Sequence, residues 1–236
     1  MEFKEELKSV FANYNIDVTE KQCVLFEEYY KLIKEWNEKF NLTTILEQHD
    51  VIIKHFLDSF SLSKCADLKN KKICDVGSGA GFPSIPLKIL DDSIEVWIID
   101  SLNKRINFLT GLCEKLGINA NLVHGRAEEF CLTKREYFDI VTARAVARLN
   151  ILDELCMPLV KKDGYFLAMK SNEYTDELNE ASKGIKILGG EIEDIFEYNL
   201  PYNDTLEYRN IIKIKKVNNT NIKYPREFAK IKKKPL

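Results

Sequence analysis

A strand followed directly by three glycines at alternate positions constrains the fold of this chain more than any other feature. Residues 71–76 predict a short buried strand, and Gly77, Gly79 and Gly81 come next. Residues 82–90 have the apolar positions of a helix, with prolines near its start, where proline is tolerated. A strand, a glycine turn and a helix N-terminus bring backbone N–H groups close to a ligand. The stretch therefore predicts a cofactor site.

Predicted strands and helices alternate after this turn. Further strands are predicted at residues 95–99, 120–124, 138–143 and 165–170. Helices are predicted at residues 103–116, with Gly117 as the C-cap, and in an acid-rich segment near residues 173–183. Two last strands, at 191–200 and 208–217, are joined by a connector too short for a crossover helix, so they should pair antiparallel. Repeated βα units predict an α/β fold with a mostly parallel, doubly wound sheet that binds ligands at the carboxyl ends of its strands.

The first sixty or so residues predict helices. Thr19 and Gln22 fit a capping box, and an apolar stripe with the spacing of an amphipathic helix follows. A later helix, predicted over residues 47–62, places His55 and Asp58 on one face. One interpretation is an ordinary hydrogen-bonded pair. The other is that the two residues support the acceptor side of a binding site.

We divide the chain into an N-terminal helical extension (residues 1–64) and a sheet domain with a basic tail (residues 65–236). No apolar run approaches the ~20 residues of a membrane span, and the charged N-terminus does not resemble a secretory signal. We expect a cytoplasmic monomer. The six cysteines form no C-x-x-C pair and have no metal-ligand spacing with the three histidines, so no metal site is predicted.

Basic residues are concentrated at the C-terminal end. The formal net charge is −2, yet residues 211–236 contain nine basic side chains and one acidic side chain. Such a segment predicts a local binding site for phosphates. A solvated, partly disordered tail is the alternative.

The acidic residues around the glycine turn indicate which cofactor it holds. A dinucleotide fingerprint would need glycine at Phe82. Asp75, at the end of the first strand, would repel a pyrophosphate but can bind a cationic amino group. Asp100, at the end of the next strand, is placed to accept hydrogen bonds from ribose hydroxyls. This combination resembles class I S-adenosylmethionine-dependent methyltransferases.

Short motifs along nearly the whole chain carry a closer resemblance. They are residues 36–43, His55-Phe56-Leu57-Asp58-Ser59, Asp75–Pro83, Ile85-Pro86-Leu87, Ile99-Asp100-Ser101, Lys104-Arg105, Phe108-Leu109, Arg126-Ala127-Glu128-Glu129, Ala143-Arg144-Ala145, Tyr224-Pro225-Arg226 and Lys232–Leu236. In combination they resemble the bacterial small-subunit (16S) ribosomal RNA guanine-N7 methyltransferases, also called the glucose-inhibited division protein B family. The chain departs from that pattern at Ser84, where glycine is usual, and at Glu227 and Phe228 in the tail.

The resemblance implies a Rossmann-like, seven-stranded fold with a C-terminal antiparallel hairpin and a helical N-terminal extension. It implies S-adenosylmethionine contacts at Gly77, Phe82, Ala127, Glu128 and Arg144. We add Asp75, Gly79 and Asp100 from their positions around the turn. The implied partner is small-subunit ribosomal RNA, alone or in the assembled subunit. RNA contacts are predicted at Arg148, Lys170, Arg226, Lys232, Lys233 and Lys234.

The implied reaction needs no general base, because guanine N7 carries a lone pair and no proton. Catalysis would then come mainly from placing N7 in line with the sulfonium methyl group. Arg144 is expected to position the reactants by holding either the methionine carboxylate or guanine O6, and Phe82 to stack on the base. The alternatives are a methyltransferase for a small molecule or protein, a nicotinamide-dependent oxidoreductase, which the glycine spacing disfavours, and a non-catalytic RNA-binding module.

Overall fold

A seven-stranded sheet forms the centre of the computed structural model, which describes residues 2–144, 146–171, 174–202 and 205–236. The strands are β1 (Lys72–Val76), β2 (Glu95–Asp100), β3 (Asn121–His124), β4 (Phe138–Arg144), β5 (Val160–Ser171), β6 (Gly190–Tyr202) and β7 (Thr205–Lys216). Their order is β3-β2-β1-β4-β5-β7-β6, and β1 to β5 pair parallel. β7 pairs antiparallel with both β5 and β6. The predicted fold class, including its terminal hairpin, is confirmed.

Helices precede the sheet and connect its strands. They are α1 (Phe3–Ala12), α2 (Glu20–Asn37), α3 (Gln48–Val51), α4 (Asp58–Phe60), α5 (Leu62–Cys65), α6 (Ser84–Leu90), α7 (Asn103–Leu116), α8 (Ala127–Lys134), α9 (Leu149–Cys156), α10 (Thr175–Ile187) and α11 (Phe228–Lys233). The capping box at Thr19 and Gln22 and the end of α7 at a left-handed Gly117 are confirmed. The predicted start of α10 at Glu173 lies outside the described residues, as does Ala145 of the motif after β4. No helix within the described ranges is long and apolar enough to span a membrane.

The prediction of one regular α-helix over residues 47–62 is wrong. A π-helical segment, Ile52–Leu57, separates α3 from α4. The wider turn is often found at functional sites and is not encoded by a simple apolar periodicity. It carries His55, and Asp58 follows at its end.

The N-terminal extension packs against the glycine turn. Its aromatic side chains belong to the same hydrophobic cluster as Phe82 and α6. The Tyr29 hydroxyl donates a hydrogen bond to the Ala80 carbonyl, and a Cβ atom on Gly81 would lie 2.6 Å from that hydroxyl. Gly81 also has a φ angle of +98°, which L-residues rarely adopt. The third glycine is therefore required by packing against α2 as well as by backbone conformation.

The basic tail is part of the folded structure. Arg135 donates hydrogen bonds to the carbonyls of Thr220 (2.7 Å) and Tyr224 (2.7 Å), and the fully buried Ile231 packs into the hydrophobic cluster under α9 and α10. The Arg226 guanidinium pairs with fully buried Glu154, with Nε 2.8 Å from Oε1. A solvated, partly disordered tail is therefore not what the structure shows.

Candidate active site

A cavity of about 220 Å³ lies at the carboxyl ends of β1, β2 and β3. Four of the predicted cofactor residues line it: Gly77, Asp100, Ala127 and Glu128. The cavity occupies the edge of the sheet where ligands of such folds bind, because the loops after parallel strands meet there. Gly79 belongs to the turn beside it, and a Cβ atom there would have no neighbour within 4 Å.

Asp100 is fixed in this cavity by two internal hydrogen bonds. Its Oδ1 accepts from the Leu102 N–H (2.9 Å) and its Oδ2 accepts from the Arg105 guanidinium (3.1 Å). Because each carboxylate oxygen has two acceptor positions, both oxygens retain capacity for a ligand. The side chain is almost completely buried, so it is oriented before any ligand arrives.

Asp75 lies beneath the glycine turn and is fully buried. Its Oδ2 accepts hydrogen bonds from the N–H (3.3 Å) and the hydroxyl of Ser84, whereas Oδ1 has no partner among the described residues. Burial raises the pKa of Asp75 to about 7, although the hydrogen bonds from Ser84 oppose that rise. An unpaired buried carboxylate oxygen beside the turn suits a cationic or hydroxyl group of a ligand. Ser84 thus places an additional hydroxyl donor on this carboxylate.

A second cavity, of about 530 Å³, adjoins the first, and Val146 lines both. Its walls are rich in cationic side chains: Lys54, Arg144, Arg148, Lys170 and Arg209. Two cavities that share one wall permit a group bound in the first to react with a molecule bound in the second. The acidic side chains in its described lining are Asp58 and Glu177, so cations are in excess there, and this excess favours an anionic molecule.

The Arg144 guanidinium lines this second cavity and is held by the N-terminal extension. It donates to Asp58 Oδ2 (2.9 Å), to the Lys54 carbonyl (3.1 Å) and to His55 Nδ1 (3.1 Å). The Tyr198 hydroxyl of β6 donates to the other oxygen of Asp58 (2.7 Å). His55 and Asp58 are therefore more than an ordinary pair, because both orient Arg144.

His55 is kept neutral by its surroundings. Burial, and then the charge of Arg144, lower its pKa to about 3. An arginine only donates, so Nδ1 is the acceptor and Nε2 carries the proton. The Nε2 atom lies 3.0 Å from the Thr43 hydroxyl oxygen, which accepts this proton in a hydrogen bond.

The expectation that Phe82 stacks on the substrate base is wrong. Its side chain is 2% exposed, with His55 stacked at a centroid distance of 4.2 Å and Tyr29 at 5.4 Å. Its N–H donates to the Ser78 carbonyl (3.1 Å), and the residue lines neither cavity, so the predicted cofactor contact at Phe82 stays a prediction. The ring instead joins the glycine turn to the π-helical segment.

The predicted RNA contacts fall into three environments. Arg148 pairs with Glu180 at the surface (2.9 Å), and the mostly buried Lys170 pairs with Glu177 (2.6 Å). Arg226 is committed to Glu154, so we leave it out of the proposed RNA contacts. Lys232, Lys233 and Lys234 are exposed and form no ion pair within the described ranges.

Sequence analysis missed several residues that line the two cavities. The first also contains Arg105, Arg126 and Phe228, and the second contains Tyr198. Arg126 had a usable signal, because it stands directly before Ala127 at the end of β3. Tyr198 and Phe228 had none, since each lies far along the chain from the residues it joins.

Solved structures with the same architecture include several methyltransferases. TYW2 from M. jannaschii, solved in complex with AdoMet, has a TM-score of 0.56 at 11% identity, over 69% of this chain and 76% of that one. A putative methyltransferase from Bacillus halodurans has a TM-score of 0.52 at 15% identity, over 69% of this chain and 100% of that one. At these identities the likeness shows the fold alone.

Sequence comparisons are more specific. Two relatives are called ribosomal RNA small subunit methyltransferase G: one from Staphylococcus saprophyticus is 50% identical over 98% of this chain and 97% of its own length, and one from Bacillus subtilis is 48% identical over 98% of each. The model of the family described as rRNA small subunit methyltransferase G matches residues 22–206. The chain therefore belongs to the rRNA small subunit methyltransferase G family.

Proposed function

We propose that this protein transfers a methyl group from S-adenosylmethionine to N7 of a guanine in small-subunit ribosomal RNA. The observation that carries the proposal is the pair of adjoining cavities, one with an oriented acid at the end of β2 and one lined by cations. The names of the relatives supply the class of substrate. We further propose that it acts as a cytoplasmic monomer.

The residues of the first cavity fit the cofactor. Asp100 retains acceptor capacity for ribose hydroxyls, and Ala127 and Glu128 lie where the adenine would bind, at the end of β3. Asp75 lies beneath the glycine turn and outside the lining of this cavity, and its unpaired Oδ1 suits the α-ammonium group of the methionine moiety. When bound, the cofactor supplies an electrophilic methyl group on its sulfonium.

The second cavity fits an acceptor that loses no proton. Three groups in its described lining are potential bases, and all are engaged: Asp58 by Arg144 and Tyr198, His55 by Arg144, and Glu177 by Lys170. The N7 atom of guanine needs no base because its lone pair is already free. A hydroxyl or amine acceptor would leave a proton with no described residue free to accept it.

We propose that Arg144 positions the guanine. Three of its hydrogen-bonding contacts are to Asp58, His55 and Lys54, and a guanidinium has five N–H donors. A donor to guanine O6 would orient the base and leave N7 free. Accurate placement of two reactants can lower a barrier by roughly 7–11 kcal/mol in favourable cases.

Mass spectrometry of ribosomal RNA from cells that lack and then regain this protein tests the proposal. We expect one 7-methylguanosine of the small subunit to disappear and return. Restoration must fail with a variant that carries Asp100→Ala. Unchanged RNA in all strains would contradict the proposed substrate and favour a small-molecule or protein acceptor.

Cofactor affinity should depend on pH through Asp75. The pKa of its buried carboxyl is about 7 in the free protein, and a bound ammonium would favour the ionised form. Below pH 7 binding must therefore release a proton, so we expect S-adenosylhomocysteine to bind about tenfold more weakly at pH 6 than at pH 8. Isothermal titration calorimetry in buffers of different ionisation enthalpy measures both the affinity and the proton released.

Two controls isolate this effect. The ligand 5′-methylthioadenosine lacks the ammonium group, so its affinity should not show this dependence on pH. The variant Asp75→Asn keeps the shape of the side chain but does not titrate, and it should remove the dependence for S-adenosylhomocysteine. Equal pH profiles for both ligands would place the ammonium group elsewhere.

The three exposed lysines at the end of α11 should contribute to RNA binding through phosphates. Replacing Lys232, Lys233 and Lys234 by glutamine should reduce the slope of log affinity against log salt by about 2, at ~0.7 per lost single-strand phosphate contact. Filter binding of small-subunit RNA at several salt concentrations gives the slope. Substitution is preferable to deletion, because the buried Ile231 makes this segment part of the core.

A matched control removes the same charge elsewhere. Lys69, Lys115 and Lys162 are exposed and line neither cavity. Their replacement by glutamine should leave the salt slope within error of the wild-type value. Equal slopes in both triple variants would mean that the tail lysines contact no more RNA phosphates than the control lysines do.

A further inference from the structure

The first cavity has a wall built by the last helix of the chain. Phe228, the first residue of α11, lines this cavity although it stands 100 residues after Glu128, the last of the lining residues that sequence analysis had selected. Its ring is half-buried and lies against the Arg126 guanidinium, with 4.4 Å from Cζ to the ring centroid. Arg126 is in turn held by Glu128, through Nε and Oε1 at 2.5 Å.

Two anchors fix Phe228 at this wall. Arg226, two residues earlier, donates with its N–H (2.9 Å) and its Nε (2.8 Å) to the fully buried Glu154. Ile231, three residues later, is fully buried in the hydrophobic cluster that also contains Leu155 of the cavity wall. The ring therefore lies on a segment held on both sides.

The chemistry of this wall suits a flat, electron-rich ligand. A phenyl ring and a guanidinium plane are the two kinds of surface on which nucleobases stack. The cavity contains them beside Ala127 and Glu128, while Asp100 lies at the neighbouring strand end, where a ribose acceptor is needed. A nucleoside that places its ribose at Asp100 would direct its base towards Arg126 and Phe228.

We propose that Phe228 and Arg126 together form the adenine-binding wall of the cofactor site, so that the C-terminal tail takes part in binding S-adenosylmethionine. This assignment rests on the cofactor proposed above and adds a residue from outside the strand-end loops. It makes Phe228 a cofactor-binding residue. The lysines that follow it on the same segment are thereby coupled to the occupied cofactor site.

Calorimetry on the full chain tests the assignment with S-adenosylhomocysteine and with 5′-methylthioadenosine. Loss of base–aromatic stacking is expected to lower affinity about five- to 150-fold. Phe228→Ala should therefore lower the affinity for both ligands within this range and by the same factor. Phe228→Tyr should bind both within about twofold of wild type, because the aromatic face is kept. Lys230→Ala changes an exposed side chain of the same helix and should have no effect.

Two further measurements separate binding from a structural role. Phe228→Leu retains apolar volume for the fold but not the aromatic face, so its melting temperature should stay near that of wild type while its affinity falls. Phe228→Trp should show fluorescence quenching during titration with S-adenosylhomocysteine, beyond that of wild type. Wild-type affinity in Phe228→Leu and no added quenching in Phe228→Trp would overturn the assignment. Absence of binding to the wild-type chain would instead overturn the proposed cofactor.

Discussion

Replacing Arg144 by alanine is expected to lower the free energy of unfolding by about 3 kcal/mol and methyl transfer by at least about 100-fold. The stability loss follows because Asp58, which is almost completely buried, would lose its cationic partner. This value is the lower end of the free-energy cost of removing one partner from a buried ion pair. The lower end applies because the Arg144 side chain is 17% exposed and Tyr198 still donates a hydrogen bond to Asp58. The activity loss follows because the acceptor would no longer be oriented. Urea unfolding and single-turnover methylation measure the two effects.

Three variants make this prediction specific. In Arg144→Ala combined with Asp58→Asn the unpaired carboxylate is absent, so more than half of the lost stability should return. Arg144→Lys keeps the charge but cannot contact Asp58, His55 and the Lys54 carbonyl at once, so it should remain poorly active. Cofactor affinity should stay within about twofold in all of them, because Arg144 lines the second cavity. A large loss of affinity would instead place Arg144 at the methionine carboxylate.

Replacing Asp100 by alanine should weaken the binding of S-adenosylhomocysteine by about 10- to 150-fold. The estimate corresponds to about 1.5–3 kcal/mol for hydrogen bonds from ribose hydroxyls to a charged acceptor. Calorimetry near pH 7.5 gives the dissociation constant, and the fold can be checked by its melting temperature. Asp100→Asn keeps one acceptor oxygen in a similar position, so its dissociation constant should lie between those of wild type and Asp100→Ala.

Asp67 provides the control for this substitution. Its carboxylate accepts a hydrogen bond from the N–H two residues later (3.0 Å), as Asp100 does from Leu102 (2.9 Å), but it is exposed and lines neither cavity. Asp67→Ala should therefore change stability slightly and leave affinity unaltered. An equal affinity in Asp67→Ala and Asp100→Ala would remove Asp100 from the cofactor site.

The cofactor side of the site could be predicted because its signals are local. The glycines follow their strand directly, Asp75 is the penultimate residue of β1 and Asp100 is the last of β2, so the rule for parallel sheets brings them to one edge. The capping box at Thr19 is equally local, since two residues three apart define it. Each of these features depends on spacing within a few residues or on a general rule of topology.

The acceptor side could not be predicted in the same way. Arg144 meets Asp58 across 86 residues, and Tyr198 meets Asp58 across 140. A buried charge is stable only with a partner, but nothing in a local pattern says which partner the fold will supply. Glu154 shows the same limit, because it lies on a short apolar helix and its need for Arg226 becomes evident only once α9 is buried.

Segments from widely separated parts of the chain support the cofactor cavity, and this links ligand binding to the integrity of both. Tyr29 of α2 supports the glycine turn, while Phe228 of α11 lines the cavity wall. A ligand that binds only the folded chain stabilises every segment that builds its site. An occupied cavity should therefore hold α2 and α11 in their folded positions together, although no contact between the two helices is needed for this.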